Sequence, residues 1–301
     1  MLEKTIARAV LAPTDGSFTL ANHDPSWEGT KELRLLTGDK IKDRAKAHLK
    51  QRRGNLIDAQ EKLYADNRFS LLVIFQAMDA AGNDGTIKHV MSGVNPQGCQ
   101  VFSFKQPSER EIDHNFLWRY WQALPERGRI GIFNRSYYED VLVVQVHPEL
   151  IQRISVPDGD GAEEFWAARY ADINAFERHM TRNGTKIVKF FLNVSKEEQR
   201  QRFIARLTEP DKLWKFAIGD LAAREKWDEY QRVYEHVIAR TSTEWAPWYV
   251  IPADNKWLMR ALVMTILVET LGAMDLKFPD VSASDKKRFR AALKTLQAEA
   301  E

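Results

Sequence analysis

The chain has 301 residues and an almost balanced charge, with 44 basic and 42 acidic side chains and a net charge of +2. This length suffices for one large α/β domain. The charge balance argues against a positively charged surface over the whole protein, of the kind that binds polyanions nonspecifically, so any anion-binding site must be local. The single Cys99 excludes an intramolecular disulfide. No secretory signal is visible, and the most apolar window, 258–274, is interrupted by Arg260 and Glu269. We therefore expect a cytoplasmic protein with no membrane segment.

Predicted strands and helices alternate along the chain. Residues 1 to about 28 are predicted to form an extended arm, and 31–66 a charged helical region. Strands are predicted at 71–76, 100–104, 129–133, 186–194 and 248–252, with helical stretches at 109–123, 163–182, 196–207 and 224–240. This alternation predicts an α/β fold with a parallel sheet covered on both faces. We divide the chain into residues 1–66, a core over 67–280 with a lid at about 208–224, and a charged helical tail over 281–301.

The first predicted strand leads into a turn of small residues that should open a helix, as a phosphate-binding loop does. Gly82 and Gly85 suit such a turn, because backbone N–H groups must point inward at an anion. Ala77 takes the place of the first Gly of the usual pattern, Asn83 the place of Lys and Asp84 the place of the hydroxyl residue. The pattern alone leaves an ordinary strand-to-helix turn equally open.

Asp79 lies inside this turn and favours the phosphate-binding interpretation. A carboxylate beside bound phosphates is useful chiefly when Mg²⁺ bridges them or a transferred group needs orientation. A second group of polar and charged residues follows the third predicted strand, namely Asn134, Arg135, Glu139 and Asp140. These residues are candidates for the crevice at the carboxyl ends of the strands, although a simple helix start explains them as well.

A basic cluster follows the fourth predicted strand. Arg202 and Arg206 are four residues apart and share one helix face, which suits a multiply charged anion. Lys212 and Lys215 extend the cluster into a segment that suits a lid. The alternative is a solvated basic helix paired with its own glutamates.

Six segments in this order resemble the family 2 polyphosphate kinases, namely 76–88, 92–98, 116–119, 133–140, 212–216 and 241–249. The resemblance implies a three-layer P-loop kinase fold like that of thymidylate kinase, with a central five-stranded parallel sheet and a helical lid. It implies transfer of a phosphoryl group between inorganic polyphosphate and purine nucleotides, with Mg²⁺ or Mn²⁺, by a homo-oligomer (a dimer or a tetramer). Asn134 and Glu139 resemble the subgroup that accepts nucleoside monophosphates and diphosphates.

The resemblance also implies roles for residues that match its motifs. Asp79, Asn83, Arg135 and Glu139 are the candidate catalytic residues, and Asn134, Arg135, Glu139 and Asp140 the candidate nucleotide contacts. The metal would lie on Asp79 and be shared with Asp140. The candidate phosphate and polyphosphate contacts are Ala81, Gly82, Asp84, Gly85, Thr86, Lys88, Arg119, Arg202, Arg206, Lys212 and Lys215.

Asn83 departs from the family pattern, because a neutral amide replaces an ammonium that would stabilise the transferring phosphoryl group. We therefore hypothesise an impaired enzyme, whether the substitution is natural or engineered. In a second hypothesis Lys88 or a lid cation supplies the missing charge. A non-catalytic polyphosphate- or nucleotide-binding protein and an ATP-dependent nucleoside monophosphate kinase are further alternatives.

Overall fold

The computed structural model describes residues 7–29, 38–154 and 161–299. Five strands are present in these ranges: β1 (Ser70–Ala77), β2 (Cys99–Ser103), β3 (Ile130–Asn134), β4 (Thr185–Asn193) and β5 (Trp248–Pro252). The α-helices are α1 (Gly38–Asp66), α2 (Asn83–Val90), α3 (Glu109–Ile112), α4 (Trp118–Trp121), α5 (Glu139–Val146), α6 (Glu163–Arg182), α7 (Lys196–Thr208), α8 (Gly219–Glu225), α9 (Trp227–Thr241), α10 (Lys256–Gly272) and α11 (Ala283–Ala298). Short 3₁₀ helices occur at Leu20–Asn22, Pro96–Gly98, Pro148–Ile154 and Leu213–Lys215.

The five strands form one parallel sheet in the order β2-β3-β1-β4-β5, which confirms the predicted sheet. β1 is central and buried nearly throughout its length, as a strand covered on both faces should be. It pairs with β3 on one side and β4 on the other. The chain therefore changes direction at the carboxyl end of β1, where ligands bind in open α/β sheets.

Helices cover both faces of this sheet. On one face α10 packs against α1 and α2, and on the other face α9 packs against α5 and α6. Buried side chains from both layers form one continuous hydrophobic core with the strands. The predicted three-layer arrangement is confirmed. No described helix has both the length and the apolar character that crossing a bilayer requires.

The N-terminal arm extends the sheet at its β5 edge. Leu11 forms an antiparallel bridge with Tyr249, and the Val250 N–H donates to the Val10 carbonyl at 2.7 Å. Val10 and Phe18 of the arm are buried in the common core. Residues 1–6 of the predicted arm, and 31–37 of the predicted helical region, lie outside the described residues.

Two predicted helices were wrong in extent. The stretch 109–123 forms two single-turn helices, α3 and α4, because the Asn115 side chain accepts the Leu117 N–H at 3.1 Å and organises a turn between them. The stretch 224–240 is divided at Lys226, whose backbone leaves the helical region at φ −89° and ψ +24°. Its ammonium donates to the Val146 carbonyl at 2.9 Å. This break separates α8, which lies mostly in the predicted lid, from α9.

Candidate active site

The loop between β1 and α2 has the backbone form that an anion site requires. Ala80 and Gly82 adopt positive φ angles of 63° and 116°, which turn the chain sharply before α2 begins. A Cβ at Gly82 would lie 3.3 Å from the Met259 side chain, so glycine serves both conformation and space here. The Thr86 hydroxyl and N–H both bond the Gly82 carbonyl at 2.9 Å. The first N–H groups of α2 have no intrahelical acceptor, which makes this end a site for negative charge.

Asn83 connects this loop to the end of β3. Its amide Nδ2 donates to Asn134 Oδ1 at 3.1 Å, and Asn134 Nδ2 donates to Asp84 Oδ1 at 2.7 Å. The structure thus brings three predicted site residues into one hydrogen-bonded chain. Asn83 Oδ1 is buried and has no hydrogen-bond partner among the described residues.

Arg135 joins two carboxylates at the centre of the site. Its Nη2 lies 2.6 Å from Asp79 Oδ1, and its Nη1 lies 3.5 Å from Glu139 Oε2. Glu139 also accepts from Gln76 Nε2 at 2.8 Å, and its burial raises the pKa of its carboxyl group against the opposing effect of Arg135. Arg135 remains 43% exposed along its side chain, so it is paired yet accessible to a ligand.

Asp140 faces a different part of the site. Its Oδ2 accepts from the Tyr120 hydroxyl at 3.1 Å, and Arg119 Nη2 donates to that hydroxyl at 2.6 Å. A cavity of about 290 Å³ opens here, lined by Arg119, Arg135, Glu139 and Asp140 and by apolar side chains that include Phe104. Asp79 instead lines a small pocket with Arg135 and Glu139. Arg135 and Glu139 therefore lie between Asp79 and Asp140.

Burial raises the pKa of the Asp140 carboxyl from 3.8 to about 6, despite the opposing Arg119 charge. The folded protein then binds this proton more tightly than the unfolded chain does, so this group lowers the stability of the fold as pH rises from about 4 to about 6. We expect Asp140→Asn to remove the contribution of this carboxyl group to the pH dependence of the unfolding free energy. Urea unfolding of both proteins at the two ends of this range measures it, and identical pH profiles would contradict the assignment.

Arg202 connects the backbone of this loop to the segment that follows β5. Its Nη1 donates to the carbonyls of Ala80 and Ala81 at 3.0 and 2.6 Å, and its Nη2 to those of Ala253 and Asp254 at 2.6 and 3.2 Å. Its Nε donates to Glu198 Oε1 at 2.7 Å. All guanidinium nitrogens are thus engaged within the fold, and the side chain is 7% exposed. The phosphate contact implied by the resemblance stays a prediction, beside this observed role in holding two loops together.

Arg202→Lys keeps the charge but loses the planar group that bonds four carbonyls. We expect a loss of about 3 kcal/mol of unfolding free energy, because buried carbonyls lose their donors. Arg200→Lys is the matched control, since Arg200 lies on the same helix in an exposed pair with Glu197. Urea denaturation of both variants tests this, and equal small losses would show that the loop does not depend on Arg202.

The remaining predicted cations lie at the lid or on the surface. Arg206 Nη1 bonds Asp220 Oδ2 and the Lys215 carbonyl, both at 3.1 Å, which ties α7 to the lid. Lys212 pairs with Glu209, and the Lys215 ammonium lies 5.1 Å from the Trp214 ring centroid. Lys88 is on the exposed face of α2. The segment predicted to form a lid thus lies beside the loop, with Ala223 in the small pocket that Asp79 lines.

Several side chains that support the site were not predicted. Gln199 Nε2 donates to the Asp79 carbonyl at 3.0 Å, and Gln76 holds Glu139. Gln199 lies three residues before Arg202 on α7, so the two side chains share one helix face. This spacing was the sequence signal that could have placed Gln199 near the loop. Asp220, the partner of Arg206 on α8, had no signal in the local sequence.

The Asp79 carboxylate is suited to bind a hard divalent cation whose other ligands are substrate phosphates. Within the described residues, no group of three or more His, Cys, Asp or Glu side chains could hold a metal by itself. Asp79 Oδ1 faces Arg135, and no described residue donates a hydrogen bond to Asp79 Oδ2. Mg²⁺ typically takes one or two carboxylates together with substrate phosphates and water. Asp79 fits such a partial coordination shell.

The parallel five-stranded sheet, the helices on both of its faces and the loop after its central strand define an α/β fold of the P-loop kinase type. A family model described as "Polyphosphate kinase 2 (PPK2)" matches residues 39–279, and the chain belongs to this family.

Curated relatives agree with this assignment. The chain is 53% identical over 235 residues, covering 78% of it and 81% of its counterpart, to a Rhodopseudomonas palustris protein named "ADP-polyphosphate phosphotransferase". It is 46% identical over 277 residues, covering 91% and 96% of the two chains, to the Meiothermus ruber "AMP/ADP-polyphosphate phosphotransferase". The crystal structure of polyphosphate kinase 2 from Arthrobacter aurescens TC1 superposes with a TM-score of 0.84 at 38% identity, covering 97% of this chain and 98% of that one.

Proposed function

We propose that the protein transfers the terminal phosphoryl group of inorganic polyphosphate to purine nucleoside mono- and diphosphates (AMP, ADP, GMP and GDP), and catalyses the reverse reaction. Arg135 carries this proposal, because it contacts Asp79 beside the loop and also lines the cavity of about 290 Å³. A phosphoryl group on the loop and an acceptor phosphate in the cavity would meet at this guanidinium. The names of the relatives support polyphosphate and AMP or ADP as the substrates.

The loop would hold the donor end. The free N–H groups at the start of α2 and the Gly82 turn suit a terminal phosphate, in line with the proposed contacts from Ala81 to Thr86. The cavity would hold the acceptor nucleotide, whose phosphates face Arg119 and Arg135. An acceptor phosphate oxygen is already anionic, so the reaction depends on positioning and charge neutralisation rather than on a strong base.

Asp79 would hold Mg²⁺, or Mn²⁺ in its place, through its unbonded oxygen. When bound, the ion neutralises charge on the transferring phosphoryl group and orients it. Arg135 fixes the rotamer of Asp79 through its 2.6 Å contact, and Gln199 fixes the Asp79 backbone. Asp140, which lines the cavity on the far side of Glu139, would serve the nucleotide or a water ligand of the ion.

Asn83 would lower the rate of this reaction. It occupies the first position of α2, and its amide is engaged with Asn134 instead of presenting a positive charge. Lys88 is exposed on the same helix and is the nearest cation along the chain, which supports the alternative in which it compensates.

We further propose a cytoplasmic homo-oligomer, a dimer or tetramer. The single cysteine supports the cytoplasmic location. The resemblance supports the oligomer, as do three exposed apolar side chains on α11, Phe289, Leu293 and Leu296. Light scattering in solution tests the assembly.

The decisive experiment compares donors. Purified protein with Mg²⁺ and AMP, ADP, GMP or GDP receives either polyphosphate or ATP, and nucleotide products are separated by chromatography. We expect phosphorylated products that depend on polyphosphate. Products formed from AMP with ATP alone would instead establish a conventional nucleoside monophosphate kinase. Binding of polyphosphate without turnover, even in Asn83→Lys, would establish a non-catalytic binding protein.

A further inference from the structure

Two buried tyrosines belong to the connection between β3 and α5, which carries much of the candidate active site. Arg135 in this connection and Glu139 at the start of α5 line the cavity of about 290 Å³. Tyr137 and Tyr138, between them in the chain, are instead fully buried in the core. The Tyr137 hydroxyl donates to Glu177 Oε1 at 2.8 Å, and the Tyr138 hydroxyl donates to the same oxygen at 2.9 Å. One carboxylate on α6 therefore holds both tyrosines.

Lys189, on β4, completes this buried network. Its ammonium donates to Glu177 Oε2 at 2.7 Å, to the Tyr138 hydroxyl at 2.8 Å and to the Thr241 carbonyl at 2.7 Å. All three N–H groups of the ammonium thus have an acceptor, and the Glu177 and Lys189 side chains are fully buried. Burial raises the pKa of both tyrosine hydroxyl groups well above its usual value, so they remain donors. A buried network in which every group is satisfied is rigid.

The network also involves segment 241–249, which supplied no candidate site residue. Trp248 Nε1 donates to Thr241 Oγ1 at 2.9 Å, and the Lys189 ammonium lies 5.2 Å from the centroid of the Trp248 ring. Two of the segments that resemble the family, 133–140 and 241–249, therefore meet at one buried ammonium. Because apolar side chains often stabilise a core as well as a buried ion pair does, core stability alone is a weak reason for this pair.

The backbone of Arg135 needs such support. Its φ angle is +64°, in the left-handed region that residues with a side chain rarely adopt. This conformation costs free energy and persists only where the surrounding structure holds it. On one side, the Arg135 N–H donates to the Phe75 carbonyl of β1 at 2.9 Å. On the other side follow Tyr137 and Tyr138, which Glu177 holds. Arg135 is therefore fixed from both sides.

We propose that Glu177 and Lys189 are positioning residues for phosphoryl transfer. Acting through the two tyrosines, they hold Arg135 where the donor and acceptor phosphates meet. This inference rests on the proposed function. Neither side chain lines the cavity, so both act only through other residues. Without the network, Arg135 would relax from its left-handed conformation and carry its guanidinium away from the phosphates. Since a misplacement of about 1 Å can cost about a hundredfold in rate, the effect appears in kcat.

The double variant Tyr137→Phe/Tyr138→Phe tests this role, because it removes only the two hydroxyl groups that join the connection to Glu177. We expect kcat with polyphosphate and AMP to fall by about tenfold to a hundredfold, with a much smaller change in either KM. In an Arg135→Lys background the same double change should cost little further, because the guanidinium that the network positions is already absent.

Tyr170→Phe is the matched control. Tyr170 is also buried on α6, and its hydroxyl accepts a hydrogen bond from Gln145 of α5 at 2.6 Å, so the control loses an equivalent group and should keep its kcat. A second variant, Glu177→Met/Lys189→Met, removes both charges together and leaves no lone charge in the core. It should lower kcat as the tyrosine variant does. Cooperative thermal unfolding of each variant shows that the fold is retained.

The NMR signal of the Arg135 Nε–H group gives a readout that does not depend on activity. We expect it to shift in the tyrosine variant and to stay in place in Tyr170→Phe. An unchanged kcat, or equal losses with and without the Arg135 guanidinium, would overturn the positioning role and leave the proposed function intact. Absence of phosphoryl transfer by the unmodified protein would contradict the proposed function instead. The NMR signal then decides the positioning role, and an unchanged signal overturns it.

Discussion

Replacing Asn83 by Lys should raise polyphosphate-dependent nucleotide phosphorylation at least a hundredfold, since one charge-stabilising donor is typically worth about 10² to 10³ in rate. Asn83 lies at the start of α2, where the free N–H groups of the helix face the donor phosphate of our proposal. Its amide reaches only Asn134 at 3.1 Å, whereas an ammonium at this position would bring a full charge to the phosphoryl oxygens. Initial rates with polyphosphate, Mg²⁺ and AMP measure the effect.

Asn83→Met is the matched control, because it has nearly the length of Lys without the charge. It also removes the Asn83 hydrogen bond to Asn134, so any gain that comes merely from freeing Asn134 appears in both variants. A hundredfold gain in Asn83→Lys alone assigns the effect to charge. Equal rates in all three proteins would show that another cation, such as Lys88, already performs this role.

Removing the Asp79 carboxylate should have the opposite effect, a loss of about a thousandfold in rate. Asp79→Asn keeps the shape of the side chain but loses the anionic oxygen that would hold Mg²⁺ and the ionic contact of 2.6 Å to Arg135. The side chain is 25% exposed, so the fold should tolerate the change. The rate is best measured in the Asn83→Lys background, where it is high enough to follow the loss.

Asp58→Asn, at an exposed position on α1, is the control for loss of one negative charge. If Asp79 holds the ion, Asp79→Asn should also require more Mg²⁺ for half-maximal rate, whereas Asp58→Asn should not. A full rate with unchanged Mg²⁺ dependence in Asp79→Asn would remove Asp79 from the catalytic role.

The sequence predicted strands and helices correctly where the pattern that defines them lies within the segment itself. The strand at 248–252 and the helix at 163–182 have the predicted bounds, because the apolar pattern that predicts each of them lies within the segment itself. The parallel sheet followed from the alternation of strands and helices. Stretch 109–123 was misjudged, since a single asparagine side chain turns the backbone between α3 and α4.

The site was less predictable, because its contacts join residues that are far apart in the chain. The clusters around Asp79 and Glu139 could be found from the motifs, but nothing local showed that Arg135 connects them. Arg202 reaches the carbonyls of Ala80 and Ala253, which lie on two separate loops. Tyr138, Lys189 and Thr241 come from three separate segments and meet only in the folded core.

A crystal structure of this chain with Mg²⁺, polyphosphate and AMP tests the central claim most directly, because the proposed slow turnover conferred by Asn83 favours capture of both substrates. We expect the terminal phosphate on the N-terminus of α2, the ion on Asp79, and AMP in the cavity lined by Arg119 and Asp140. Arg135 should lie between the two phosphates. AMP on the loop, with polyphosphate bound elsewhere, would contradict the account.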